Sequence, residues 1–335
     1  MSGMPFDIIA YFKDGKRNIE EIASLCPVAH DLIVSQDKRE SDSANAFEAA
    51  YNTDKQWLNS VKKRMSQEKD AANIAACLGE VRAFSTLNDI WGNIIPHYTN
   101  KGPDFSIGED PESPNLDVEV FTIGARPNAT VQLEHIVVAA LDVKVSDFAP
   151  YGQPDPHKVG ESIAANMVSY IASRKQGEKQ LVGCRPTLLF LDFQNLPLNS
   201  SQIEHTQPMI PDEETKTVGG IWAAFYGMHG LPLMQDSYSW DRFEVPRMGH
   251  NGKFYVGNTS SAVGALLSFY QGGETKLVYM ENPSRAKDFP FELRRKLIDS
   301  PKLLKEMSWF NSESSDLTGR IQVASKMITE AYQSL

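Results

Sequence analysis

The chain has 335 residues, an apolar fraction of 41% and a formal net charge of −10. The length allows one large domain or two smaller ones, and the negative charge excludes a protein that coats nucleic acid through clustered cations, although a local basic cleft remains compatible with it. No apolar run approaches the roughly 18 residues that a membrane-spanning helix needs. The N-terminus lacks the features of an export signal, and the three cysteines are widely spaced. We therefore expect a cytoplasmic protein with no membrane partner.

The N-terminal segment is charged and has short apolar stripes at helical spacing. It includes a basic cluster at Lys62, Lys63 and Arg64. The helical spacing of apolar residues becomes more regular at Asp70, where a longer amphipathic segment begins. The predicted organisation is a helical N-terminal extension over 1–69 and an α/β domain over 70–335, with a motif core at 70–195 and a C-terminal elaboration at 196–335.

The segment from Asp70 to Trp91 is predicted to be a helix with one buried face. Cys77 and Phe84 recur at the spacing of one helix face, and Glu80 falls between them in the same stripe. A charge in that position needs an oppositely charged partner or an ion, because an unpaired buried charge is costly. Glu80 is therefore either paired with an Arg or Lys or part of an ion site.

Short apolar segments after Trp91 predict strands. They read IIPHYT, PDFSI and NLDVEVFTI, and the polar loop GEDPESPN between the last two predicts a β-hairpin or two neighbouring strands. In the third segment, alternation places Asp117, Glu119 and Phe121 on one face.

The chain from residue 131 to residue 193 alternates between apolar segments and loops. VQLEHIVVAALDV is compatible with a strand or a helix, whereas KVGESIAANMVSYIASRKQG predicts a second helix that ends in cations. The continuous apolar run in RPTLLFLDF predicts a strand that is covered on both faces. This order of elements predicts an α/β fold with a mixed central β-sheet flanked by helices.

Four acidic side chains fall within these predicted core elements, namely Glu80, Asp104, Asp117 and Glu119. Buried carboxylates repel one another and are costly to desolvate unless a cation neutralises them. Carboxylate oxygens suit Mg²⁺, or Mn²⁺ in its place, and leave positions for a substrate phosphate. The alternative interpretation is that Pro-Asp forms an ordinary turn and that the acid pair lies on a solvated strand face.

The pairing of Pro103-Asp104 with Asp117-Val118-Glu119 resembles the motif of the PD-(D/E)XK nuclease superfamily, in a variant with Glu in place of Lys. The resemblance extends from Asp70 to Phe193, because Glu80 matches an additional metal-binding acid and the later helix and strand are similar to core elements of the family. It implies a restriction-endonuclease-like fold. The residues that it implies as catalytic and metal-binding are Glu80, Asp104, Asp117 and Glu119.

Two alignments of this motif remain open. In the first, Asp104 and Asp117 are metal ligands and Glu119 occupies the position of the Lys. In the second, Asp104 and Glu119 are the ligands and Phe121 occupies the position of the Lys, so that a cation from elsewhere completes the site. The candidates for that cation are Lys144, Arg174, Lys175 and Lys179.

The resemblance implies a magnesium-dependent endonuclease that hydrolyses DNA phosphodiester bonds, as a restriction or defence enzyme. We expect a homodimer, because cutting both strands takes two sites. One alternative is a non-catalytic relative that binds nucleic acid or protein, and a more distant one is an α/β enzyme that acts on a small molecule. The candidate nucleic-acid-binding residues are Arg294, Arg295, Lys296, Lys175 and Lys179.

Overall fold

The computed structural model describes residues 6–33, 41–97, 102–108, 113–123, 168, 171, 185–196, 199–210, 217–234, 247–255, 260–312 and 315–334. The first five α-helices are α1 (Ile8–Phe12), α2 (Ile19–Leu25), α3 (Ser43–Thr53), α4 (Lys55–Gln67) and α5 (Ala71–Trp91). The strands are β1 (Ile94–Pro96), β2 (Phe105–Ile107), β3 (Leu116–Thr122), β4 (Thr187–Asp192), β5 (Ala262–Gln271) and β6 (Glu274–Glu281). Later α-helices span Gly220–Tyr226, Phe291–Ile298 and Leu317–Gln333, and 3₁₀ helices span Pro27–Leu32, Asn199–Thr206, Ala286–Asp288 and Lys305–Met307.

The six strands form one mixed sheet in the order β1-β2-β3-β4-β5-β6. The pairs β1–β2, β2–β3 and β5–β6 are antiparallel, whereas β3–β4 and β4–β5 are parallel. The prediction of a mixed sheet flanked by helices is therefore confirmed. The hairpin between β5 and β6 was not predicted, and its turn is formed by Gly272 and Gly273, whose φ angles of +62° and +84° favour glycine.

Each face of the central strand β4 contributes to a different hydrophobic cluster. Leu188 and Phe190 pack with α5 in the first cluster, whereas Leu189 and Leu191 pack in the second cluster on the other face. This alternation confirms the prediction of a strand that is covered on both faces. Most of the predicted second helix lies outside the described residues, but Ile171 is helical and buried in the second cluster.

The predicted helix from Asp70 is confirmed as α5. The Asp70 side chain caps it by accepting a hydrogen bond from the Ala72 N–H at 2.7 Å, and Gly92, with a φ of +86°, follows its last turn. Cys77 and Phe84 are buried, as the spacing predicted. The prediction of a single buried face is wrong, because residues 81–87 are all buried where α5 is enclosed by α3, α4 and the sheet. No described helix combines the length and apolar character that crossing a bilayer requires.

The helices before α5 share the first hydrophobic cluster with the sheet. Phe47 of α3 and Trp57 of α4 are buried together with Phe84 of α5 and Phe105 of β2. The rings of Trp57 and Phe84 are stacked, with centroids 4.4 Å apart. The described part of residues 1–69 is thus largely helical and is packed into the core, while the exact domain boundary stays a prediction.

Candidate functional site

Asp104 lies where the hydrogen-bond ladder between β2 and β3 ends. Its backbone N–H donates to the carbonyl oxygen of Val118 at 3.0 Å, and its side-chain Oδ2 accepts from the N–H of Val120 at 2.7 Å. β2 has only three residues whereas β3 has seven. The carboxylate of Asp104 therefore takes the place of a backbone acceptor and is held against the edge of β3.

Glu119 lies on β3 between the two residues that bind Asp104. It is only 5% exposed, and its Oε2 has no hydrogen-bond partner in the part of the chain that the structure describes. Burial, followed by the negative charges of Asp104 and Glu80, raises the pKa of Glu119 to about 8. A buried carboxylate oxygen with no partner is costly, so this position is suited to an added proton or a cation.

Asp104 is subject to the same electrostatic environment. Burial, followed by the charge of Glu80, raises its pKa to about 7, and the hydrogen bond from Val120 and the charge of Arg64 act in the opposite direction. The charge of Glu80 acts on both Asp104 and Glu119, and the charge of Asp104 acts on Glu119. We call these three residues the acidic site; Glu80 belongs to α5, Asp104 directly precedes β2 and Glu119 belongs to β3.

Glu80 is paired with a cation from an earlier helix. Arg64 of α4 donates to both of its carboxylate oxygens, from Nη1 to Oε1 at 2.9 Å and from Nη2 to Oε2. The Glu80 side chain is 18% exposed and that of Arg64 is 45% exposed, so the pair is partly open to solvent. Of the two interpretations of Glu80 in the apolar stripe, the structure contains the ion pair.

Asp117 belongs to a different group of side chains. Its Oδ1 accepts from the Ser106 hydroxyl at 2.7 Å and lies 3.0 Å from Nη2 of Arg185. The ring Nε2 of His97 lies 2.8 Å from the same hydroxyl oxygen. The structure therefore places Asp104 next to the β3 segment that carries Glu119, pairs Glu80 with Arg64 and satisfies Asp117 separately.

Phe121 stands where the second motif alignment needs a cation. Its ring is partly buried and packs against the second hydrophobic cluster. The cations proposed to replace the missing Lys all lie outside the described residues, and they are Lys144, Arg174, Lys175 and Lys179. Arg64, which the sequence did not single out for this role, is the described cation that is ion-paired with the acidic site.

The predicted basic helix Phe291–Ile298 has two kinds of cation. Arg294 donates from Nε to Oε1 of the buried Glu281 at 2.7 Å and from Nη2 to the carbonyl of Asn311 at 2.7 Å. Arg295 is paired with Glu292 at the surface, and Lys296 is exposed. Arg294 therefore holds the fold together, while nucleic-acid binding by this group stays a prediction; Lys175 and Lys179 lie outside the described residues.

The acidic site offers a pair of oxygen ligands rather than a complete metal cage. Within the described ranges, no group of three or more His, Cys, Asp or Glu side chains is arranged to hold a metal ion. Mg²⁺ does not require such a group, because it keeps several waters and is commonly bound by one or two carboxylates. Asp104 and the unpartnered oxygen of Glu119 fit that requirement.

No protein-family model, curated protein or solved structure matches the chain at a significant level. A functional assignment therefore depends on the residues themselves, on the acidic site and on the order of the strands.

Sequence reasoning did not identify two ion pairs that residues of α5 form. The signal for the first was the basic cluster that contains Arg64, taken together with the unexplained charge of Glu80. The second joins Arg82 of α5 to Asp192 at the end of β4, where Nε lies 3.0 Å from Oδ2. Arg82 lies in the middle of α5 and Asp192 ends β4, and neither local pattern indicates that the two side chains meet.

Proposed function

We propose that the protein is a divalent-metal-dependent endonuclease that hydrolyses DNA phosphodiester bonds. The observation that carries the proposal is the juxtaposition of Asp104 with Glu119, whose buried Oε2 lacks a partner among the described residues. Asp104 and Glu119 are the two ligands in the second motif alignment. We accordingly assign Asp104 and Glu119 as the ligands and place Asp117 outside the metal site.

The topology supports the same proposal. An acid-bearing helix, α5, is followed by the antiparallel strands β1, β2 and β3 and then by β4, which lies parallel to β3. The resemblance to the PD-(D/E)XK superfamily predicts this order with one more helix before β4, and most of that helix lies outside the described residues. We propose membership of that superfamily, with a restriction or defence role and a homodimeric assembly that cuts both strands.

The residues of the acidic site would act by charge and position. Asp104 and Glu119 would hold a Mg²⁺ ion, and that ion would supply Lewis-acid polarisation of a phosphoryl oxygen and would make water a stronger acid. Asp104 and Glu119 would both lose their protons to bind the cation. The short contact of Asp104 with the β3 backbone fixes one ligand relative to the other, which limits the reorganisation that binding requires.

The test is cleavage of supercoiled plasmid DNA in Mg²⁺ or Mn²⁺ by the full-length protein. We expect Asp104→Asn and Glu119→Gln to lower the rate by at least about 100-fold, because each removes one of two anionic ligands. Asp117→Asn is the matched control, since its carboxylate lies in another group, and it is expected to retain most of the activity.

Equal cleavage by the wild-type protein and by both ligand variants would refute the site. Loss of activity in Asp117→Asn as well as in Asp104→Asn would instead favour the first motif alignment. The alternative of a non-catalytic relative is supported by Phe121, which occupies the position of the family Lys. That alternative predicts DNA binding without cleavage at any metal concentration.

A further inference from the structure

Helix α4 carries positive charge and no acidic side chain, although the chain as a whole has a formal net charge of −10. Its cations are Lys55, Lys62, Lys63 and Arg64. Arg64 is paired with Glu80, whereas the three lysines form no ion pair with any residue that the structure describes. α4 therefore presents positive charge that no described carboxylate neutralises.

Tyrosine rings hold two of these lysines at a cleft of about 710 Å³ between α1, α3 and α4. The Nζ of Lys55 lies 4.6 Å from the ring centroid of Tyr51 and donates to its hydroxyl at 2.8 Å. The Nζ of Lys62 lies 4.7 Å from the ring centroid of Tyr11. A ring attracts an ammonium group without cancelling its charge. Both cations are thus positioned and remain able to bind an anion.

The opposite wall of the cleft is acidic. Asp7 and Asp14 flank α1, and Glu48 belongs to α3. None of the three is ion-paired with a described lysine, and the Asp7 carboxylate instead accepts from the N–H of Ala10 at 2.9 Å. An anionic ligand is repelled by this wall, so it is expected to lie along α4 and not across the cleft.

Lys55 and Lys62 lie on the same side of α4. They are seven residues apart, which is about two helical turns and about 10.5 Å along the axis. Cations at intervals along a helix suit a ligand that carries negative charge at intervals, such as the phosphodiester backbone of DNA. The ring faces beneath the ammonium groups are covered, which favours contacts with phosphates over stacking on bases.

We propose that the exposed side of α4 is a DNA-binding surface separate from the acidic site, at which Lys55 and Lys62 contact backbone phosphates. The surface contributes affinity and takes no part in hydrolysis. It rests on the proposed function only in taking DNA as the polyanion. Because phosphate contacts carry no sequence information, the affinity is expected to be independent of base sequence and to fall steeply with salt.

The experiment measures binding of the full-length protein to a short fluorescent DNA duplex by anisotropy, in EDTA and at several KCl concentrations. The double variant K55Q/K62Q is expected to bind at least about 10-fold more weakly at about 0.1 M KCl. The slope of log Kd against log salt is expected to fall by about 2, because two phosphate contacts are lost. The control K305Q/K326Q removes the same charge from exposed lysines elsewhere and is expected to bind as the wild-type protein does.

Unchanged binding in K55Q/K62Q, or equal weakening in the two double variants, would overturn the surface. Equally tight binding of the wild-type protein to polyglutamate or to phosphatidylserine vesicles would overturn the assignment of DNA as its ligand. Binding that depends on both lysines, without cleavage in Mg²⁺, would support the surface and count against the proposed function. Cleavage together with unchanged binding in K55Q/K62Q would do the reverse. Thermal unfolding of each variant checks that the fold is retained.

Discussion

Glu119 is the residue whose environment is hardest to explain by stability alone. It occupies the middle of β3, where an apolar side chain would be buried without cost, and its Oε2 has no partner in the described structure. Residues that are unfavourable for folding are frequently retained where they bind a ligand. Its burial therefore leads to a prediction about the metal-free protein.

In a chelating buffer, Glu119→Gln is expected to be more stable than the wild-type protein at high pH. The folded pKa of about 8 lies above the ordinary value of 4.5, so the native state keeps a proton that the unfolded state releases between these values. The free energy of unfolding of the wild-type protein consequently falls as pH rises across that interval. The advantage of the variant is expected to grow to about 1–3 kcal/mol by pH 9, as measured by urea unfolding.

Glu48→Gln provides the control for this comparison, because Glu48 is exposed on α3. It is expected to change the free energy of unfolding by less than about 0.5 kcal/mol at every pH. A constant difference between Glu119→Gln and the wild-type protein from pH 5 to pH 9 would show that Glu119 ionises normally in the folded state.

The acids of the site were found in the sequence, but their partners were not. Strand alternation places Asp117 and Glu119 on one face, and it cannot distinguish the two motif alignments. Our proposal of the second alignment rests on the end of the β2–β3 ladder, where the Asp104 carboxylate accepts from the Val120 N–H next to Glu119. It also rests on Ser106 and Arg185, whose contacts with Asp117 depend on strand register and not on local pattern.

At the scale of elements, α5 lies in close contact with the sheet at Gly79. A Cβ at this position would lie 1.9 Å from Oγ1 of Thr122 on β3 and 3.0 Å from Oδ2 of Asp192 on β4. Glycine is therefore required for close contact here, although it is unfavourable inside a helix. This contact sets the distance between α5 and β3. It therefore also sets the position of Glu80, which follows Gly79 in the sequence.

Gly79→Ala is expected to destabilise the protein by about 1–2 kcal/mol. Replacing glycine by alanine stabilises the helix itself by about 1 kcal/mol. Overpacking a filled interface costs about 1–3 kcal/mol, and the severe overlap at this position places that cost at the upper end of the range. Chemical denaturation measures the difference. In a Thr122→Ala background, which removes the overlapping atom, the cost is expected to shrink by about 1 kcal/mol. An equal cost in both backgrounds would show that Thr122 does not limit the approach.

The sequence predicted elements with a strong local period and missed those that depend on pairing. α5 and β4 were predicted because their apolar patterns are long and regular. β5 and β6 were missed because the segment GNTSSAVGALLSFY was interpreted as a turn that leads into a packed element. One partner of β5, β4, lies far away in the sequence, although the other, β6, is adjacent. The short length of β2 was also not predictable. It depends on the point at which the Asp104 side chain, instead of a backbone carbonyl, accepts a hydrogen bond from β3.

At the scale of the whole molecule, Arg82 connects the N-terminal helices to the sheet. Its side chain is 1% exposed, and it donates from Nε to Asp192 at 3.0 Å and from Nη1 to the Ser43 hydroxyl at 2.6 Å. The Nη2 group also contacts Asn195 at 2.6 Å. One guanidinium thus joins α5, the end of β4 and the start of α3, which share a single hydrophobic cluster.

Arg82→Ala is expected to lower the free energy of unfolding by about 3–5 kcal/mol, because it leaves the buried Asp192 charge without its partner. Lys302→Ala breaks a surface pair with Asp89 and is the control, with an expected cost below about 1 kcal/mol. Urea unfolding followed by tryptophan fluorescence and by far-ultraviolet circular dichroism gives both values. Similar costs for the two variants would contradict a central role for Arg82.

The most direct test of the account is anomalous diffraction from crystals of the full-length protein grown with Mn²⁺. The account predicts one anomalous peak at about 2.0–2.3 Å from carboxylate oxygens of Asp104 and Glu119, with Glu80 still paired to Arg64. A peak at Asp117, or no peak between Asp104 and Glu119 at saturating Mn²⁺, would contradict it.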